Sequence, residues 1–156
     1  MRGKQAKPRE LMPDKLYGSK VVTKLINYMM LDGKKNVAEK LVYTAIDKLG
    51  EDLKLKPVEA LEKALDMVKP KIEVKSRRVG GANYQVPVPV TEERQLTLAL
   101  RWIVDSVRSS RGSRQTWQVL HGELLAATQK DGAAYKKKEE TLRMAEANRA
   151  FSHLSW

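Results

Sequence analysis

Ile72-Glu-Val-Lys-Ser-Arg-Arg-Val-Gly-Gly-Ala-Asn-Tyr-Gln-Val-Pro-Val-Pro-Val90 is the stretch on which the fold turns. Side chains alternate in character from Ile72 to Lys75 and again from Tyr84 to Val90, the two-residue period of a strand. Between them, Arg77 to Asn83 is a glycine-rich turn, so the stretch predicts a two-stranded β-ribbon. Pro87 and Pro89 share one parity, so both positions that lack an N–H can face away from the partner strand. A central strand would not accept them. The tip, Gly80-Gly81-Ala82, has no apolar wedge of the kind that minor-groove DNA benders insert, which weighs against an architectural DNA-binding protein.

Outward from the ribbon the period changes to that of helices. Upstream, Ser19 predicts an N-cap for a helix to Leu31, with Val22, Leu25, Ile26, Met29 and Met30 on one face. Asp32-Gly33 stops it. A second helix is expected from Lys35 to Leu49, carrying Val37, Leu41, Val42, Ala45, Ile46 and Leu49 inward and closed by Gly50. A third opens at Pro57 and ends before Pro70. Downstream, one helix follows Thr91 with Leu96, Leu100, Ile103, Val104 and Val107 inward. A basic loop Arg108 to Arg114 comes next, then a helix carrying Trp117, Leu120, Leu124 and Leu125. The last helix, about Ala133 to Asn148, is almost wholly polar from Tyr135 to Glu140 and is expected to project. The expected fold is mainly α, one domain over residues 1–156. It has about six helices, a projecting ribbon over 71–90, a basic extended arm over 1–18 and a projecting segment over 133–156.

Charge narrows the function. Thirty Lys and Arg face 19 Asp and Glu, a formal net charge of +11, and a polyanion relieves the resulting self-repulsion. Nucleic acid is the expected partner, and an anionic membrane surface is the alternative. The chain has no cysteine, which excludes thiolate metal sites and cysteine nucleophiles. No run approaches a membrane span and no apolar stretch follows the basic N-terminus, so a cytoplasmic location is expected, with no cofactor and no metal. His121-Gly-Glu123 matches a fragment of the zinc-deaminase signature, but the cysteines that signature requires are absent. Glu92-Glu93 and Glu139-Glu140 are neighbours whose side chains diverge on a helix. No acid, base and nucleophile assemble, and the reading is not an enzyme.

The candidate contacts are basic. Lys75, Arg77 and Arg78 approach the ribbon tip, where Gly80 and Gly81 admit a sugar-phosphate chain and Tyr84 offers a stacking face. A solvated hairpin whose charges prevent edge pairing is the blander account. Lys34 and Lys35 follow a glycine turn that lacks the remainder of a Walker loop, and contact with a phosphate backbone suits them better. Arg2, Lys4, Lys7 and Arg9 in the arm, Arg111 and Arg114 in the loop, and Lys136 and Lys137 on the last helix complete the expected RNA-binding set.

Lys75 to Val88 resembles the ribbon signature of small-subunit ribosomal protein seven. Asp32-Gly-Lys-Lys35 with Val37-Ala-Glu-Lys40 resembles that family's early helix pair, and Arg143-Met-Ala-Glu-Ala-Asn-Arg-Ala-Phe151 its C-terminal segment. The resemblance runs the length of the chain in the family's order. It implies a structural constituent of the small ribosomal subunit that binds the three-prime major domain of its RNA and organises assembly of the subunit head. It also implies contact with exit-site transfer RNA near the messenger path, neighbours among the head and platform proteins, and in some bacteria repression of the protein's own operon. Arg143 and Asn148 would lie near the transfer RNA or a protein neighbour. Two places depart from the pattern: the loop Ser109 to Gln115, and Leu142 where a histidine is expected.

Overall fold

The computed structural model describes Gly3, Ala6 and residues 9–154. Six α-helices and one antiparallel pair of strands follow in the order α1 (Lys20–Met29), α2 (Lys35–Leu53), α3 (Pro57–Val68), β1 (Ile72–Val79), β2 (Ala82–Pro89), α4 (Glu92–Ser110), α5 (Thr116–Thr128) and α6 (Ala133–Ala147). A 3-10 turn, Arg149–Leu154, closes the described chain. The mainly helical, single-domain reading with a two-stranded ribbon holds.

The body is built by the apolar stripes. Leu25, Ile26, Ile46, Leu49, Leu61, Leu65, Leu100, Ile103, Leu120 and Leu124 meet in one core that α1 to α5 share. At α1 the Ser19 hydroxyl accepts from the amides of Val21 and Val22, which fixes the predicted start. The chain ahead of that cap is less free than an extended arm. Asp14 accepts hydrogen bonds from the amides of Leu16, Tyr17 and Ser19, and Thr23 Oγ1 donates to the carbonyl of Met12. Tyr17 packs edge-on against Tyr43 and donates to Asp47; burial first, then that bond, raises its phenol well above the ordinary value. Residues 12–18 therefore belong to the body.

Helix α2 departs from expectation twice. It does not stop at Gly50 but runs to Leu53, ending at Lys54 in the left-handed conformation (φ 53°). Gly50 is buried inside the helix because the returning chain crosses it. A Cβ there would lie 3.0 Å from the Leu55 carbonyl oxygen and 3.3 Å from Pro57 Cα. The inward stripe also begins one residue later than expected, on Ala38, while Val37 is 63% exposed.

In the ribbon, Gly80 and Gly81 both have positive φ (57° and 89°), as the turn type that matches strand twist requires. Val79 pairs with Ala82 across that two-residue turn, so hydrogen-bonded pairs fall at alternate positions from there. Pro87 opposes Val74 and Pro89 opposes Ile72, both at the non-bonded sites, so neither ring interrupts the ladder.

Helix α6 does not stand clear of the body. It packs against α4 and both strands, burying Ala134, Thr141 and Ala145. Its contact residues are small, which is why the helix reads as polar in sequence. Lys138 lies along this seam with its ammonium over the Tyr135 ring, donating to the carbonyl of Met67 at the end of α3. Burial lowers its pKa from the ordinary lysine value, and the nearby Lys130 and Lys71 add to the effect while Glu139 opposes it.

Candidate nucleic-acid interface

Cations stand at both ends of α4, although its first turn also carries the acids Glu92 and Glu93. At its start, Arg94 forms an ion pair with Glu73 of β1 at 3.3 Å. Lys75 meets the same carboxylate at 3.0 Å. Glu73, the one acid of the Lys69–Arg78 segment, is thus shared between two cations and largely shielded from water. At the other end, Arg108 donates to the carbonyl of Tyr28 at 2.8 Å, and Arg111 and Lys34 line the same groove. Seventeen residue steps from Arg94 to Arg111, at about 1.5 Å each, put the two groups about 25 Å apart along the helix.

The ribbon residues do not act as one cluster. Arg77 opposes Tyr84 and Arg78 opposes Asn83, so successive pairs project to opposite faces. Arg78 is exposed beside the open tip, where nothing approaches a Cβ built on Gly80 or Gly81, whereas Arg77 is half-buried. Tyr84 is also half-buried. Its ring lies 5.2 Å from that of Phe151 at a 56° tilt, so the chain already occupies part of the stacking surface expected for a base.

At the α1–α2 turn, Asp32 and Gly33 both adopt positive φ (52° and 71°) and throw Lys34 and Lys35 outward. Lys34 is 3.5 Å from Asp32, an exposed pair that water screens heavily, and Lys35 is 3.8 Å from the half-buried Glu39. Arg111 and Arg114 are both exposed, and Arg114 donates to the Ser110 carbonyl at 2.7 Å.

On α6, Lys136 pairs with Asp131 at 3.1 Å and Lys137 with Glu140 at 2.8 Å. The Asp131 carboxyl lies below its ordinary range because the Gly132 amide donates to it, with Lys136 adding to the effect. The Lys137 hydrogen bond does the same for Glu140. Both pairs are exposed, so water screens them as it does that of Lys34. Arg143 is exposed on the same surface, and Asn148 ends α6 with its amide donating to the Met144 carbonyl. Arg9 is exposed, while Arg2, Lys4 and Lys7 lie outside the described residues.

Sequence reasoning missed Arg94 and Arg108, whose roles depend on partners 21 and 80 residues away. It read His121 correctly as a helix residue. Its Nε2 lies 2.7 Å from Asp52 and ties α5 to α2.

A helical body that presents cations from two turns and a braced ribbon is the architecture of a surface-binding protein. Residues 1–149 match the family described as Ribosomal protein S7p/S5e, and the chain belongs to that family. It is therefore a structural ribosomal protein and not an enzyme. Relatives named "Small ribosomal subunit protein uS7" align almost end to end. That of Nitratiruptor is 55% identical over the whole of both chains. That of Nautilia profundicola is 54% identical, again over the whole of both. That of Limosilactobacillus fermentum is 52% identical over 99% of this chain and 98% of its own. Among the described residues, no helix is long and apolar enough to cross a membrane.

Proposed function

We propose that the chain binds the three-prime major domain of small-subunit ribosomal RNA and organises the subunit head around it. The observation that carries this reading is the placing of Arg94 and Lys75 at one end of α4 and of Lys34, Arg108 and Arg111 at the other, about 25 Å apart. Such a spacing lets a folded RNA meet both ends of α4 with its phosphates. Lys34, Lys35, Arg111 and Arg114 hold one part of that RNA, and Lys75, Arg77 and Arg78 hold another. The basic arm, with Arg2, Lys4, Lys7 and Arg9, adds phosphate contacts. Lys136 and Lys137 add contacts along α6.

The finer roles follow from the same surfaces. The open Gly80-Gly81 tip reaches exit-site transfer RNA near the messenger path, and Arg143 with Asn148 faces that RNA or a neighbouring platform protein. Repression of the protein's own operon would use the same surface on a messenger.

Binding that rests on phosphate neutralisation loses log K linearly with log salt, by about 0.7 to 0.9 per contact. The test is a titration of a three-prime major domain fragment across salt. Charge-removing changes made at one end of α4, then the other, then both should flatten the slope in steps. A slope near zero for the wild type would overturn the reading.

A further inference from the structure

The α1–α2 turn and the end of α4 enclose a groove of about 290 Å3 whose chemistry phosphate binding alone does not use. Its lining is apolar where a solvated turn should be polar. Leu31 is 57% exposed and Val37 63% exposed, and Leu41 lies beside them. Around this apolar patch stand Lys34, Arg108 and Arg111 against one acid, Asp32. The Arg108 fork is steadied by the Tyr28 carbonyl, so its charge is fixed in place.

A ligand that matches both features has a flat apolar face flanked by negative charge. An apolar peptide side chain would satisfy the lining but waste the cations. Duplex phosphates would satisfy the cations but leave Leu31 and Val37 in water. We propose that this groove seats one unpaired nucleobase of the bound RNA, with the phosphates on either side of it held by Lys34 and Arg111. The volume lies at the lower edge of ligand pockets, roughly 300–1,000 Å3, and suits a single ring system. Unstacked bases in loops and junctions are the usual targets of sequence-specific RNA recognition, so the groove would confer preference for one structured junction over another. This inference rests on the RNA-binding reading and adds a base-recognising subsite to it.

The experiment compares Leu31→Ser/Val37→Ser with Lys34→Gln/Arg111→Gln on the same three-prime major domain fragment across a range of salt. Both apolar residues are exposed, so the thermal transition of the first variant should match the wild type. Leu31→Ala and Val37→Thr as single changes serve if it does not. The apolar variant should lose about tenfold in affinity at every salt concentration, since removing apolar cover does not depend on ions. Its slope of log K against log salt should be that of the wild type. The charge variant should instead flatten the slope by about two contacts. Unchanged affinity of the apolar variant would overturn the proposal, as would a loss that vanishes at high salt. Normal RNA affinity with failed incorporation into ribosomes would mean that a protein covers the groove, and would overturn it too. A wild-type chain that bound no RNA would overturn the functional reading itself, a result distinct from any of these.

Discussion

The helical body and the ribbon solve the burial problem differently. In α2 to α5, Ile46, Leu61, Leu100 and Leu120 are wholly out of water, each supported by stripes from neighbouring helices. Across β1 and β2, Val86 is the one residue with that status. The body would keep its shape by packing alone. The ribbon relies on its turn glycines, on the shared Glu73 and on what lies against it, namely α6 and the Phe151 ring. The comparison teaches that "projecting" describes only the tip. The root is bound into the molecule by the chain's last helix, so the geometry of the tip is set by residues some seventy positions away in sequence.

Damage to the body should show the largest effect. Leu61→Ala removes a side chain with 0% exposure between α2, α3 and α5 and should cost about 2–5 kcal/mol in a denaturant titration. Affinity for RNA should fall only through the unfolded fraction. Val86→Ala tests the ribbon root. It removes two buried methyl groups and should cost about 2 kcal/mol. Because the body does not depend on Val86, amide exchange should quicken first in β1 and β2 and leave α2 and α5 protected. Uniform quickening would show that ribbon and body unfold as one unit.

Arg77→Ala is expected to fall next, at about 1 kcal/mol, because the half-buried arginine covers apolar surface beside Tyr84 with its stem. The thermal transition of Arg77→Ala set against that of Arg78→Ala measures the difference directly. Equal values would mean that the two faces of the ribbon are equally solvated.

The parts that the sequence revealed and the parts it hid divide along physical lines. Stripes at helical spacing marked every helix of the body, and Ser19, Pro57 and the Gly80-Gly81 pair marked ends and turn, because each depends on local backbone chemistry. Gly50 misled because its role is steric: the chain returns over it at Leu55 and Pro57, and no local pattern encodes that crossing. The packing of α6 was hidden because small residues and the stem of Lys138 make the contact. The cationic turns were visible as composition. Their pairing with Arg94 and Arg108 at the two ends of α4 was not, since it arises from tertiary structure. Strand parity alone puts Arg77 and Arg78 on opposite faces of the ribbon.

Arg78→Ala should give the smallest change in stability and the clearest change in function. The side chain is exposed, opposes the polar Asn83 and sits one pair from a tip in open space. Its removal should leave the thermal transition within about 0.5 kcal/mol of the wild type, as at other surface sites. Its planar fork can grip a phosphate with two parallel hydrogen bonds or lie flat on a base, so RNA affinity should still fall. Arg78→Lys separates the two contributions. If charge alone matters, lysine restores binding and the salt slope together; if the fork or stacking matters, lysine restores the slope but only part of the affinity. Partial rescue is the expected result, because an exposed tip offers few other donors to fix the orientation of the RNA. Full affinity in Arg78→Ala would leave the tip a solvated hairpin and confine RNA binding to the rest of the surface, such as the groove lined by Lys34 and Arg111.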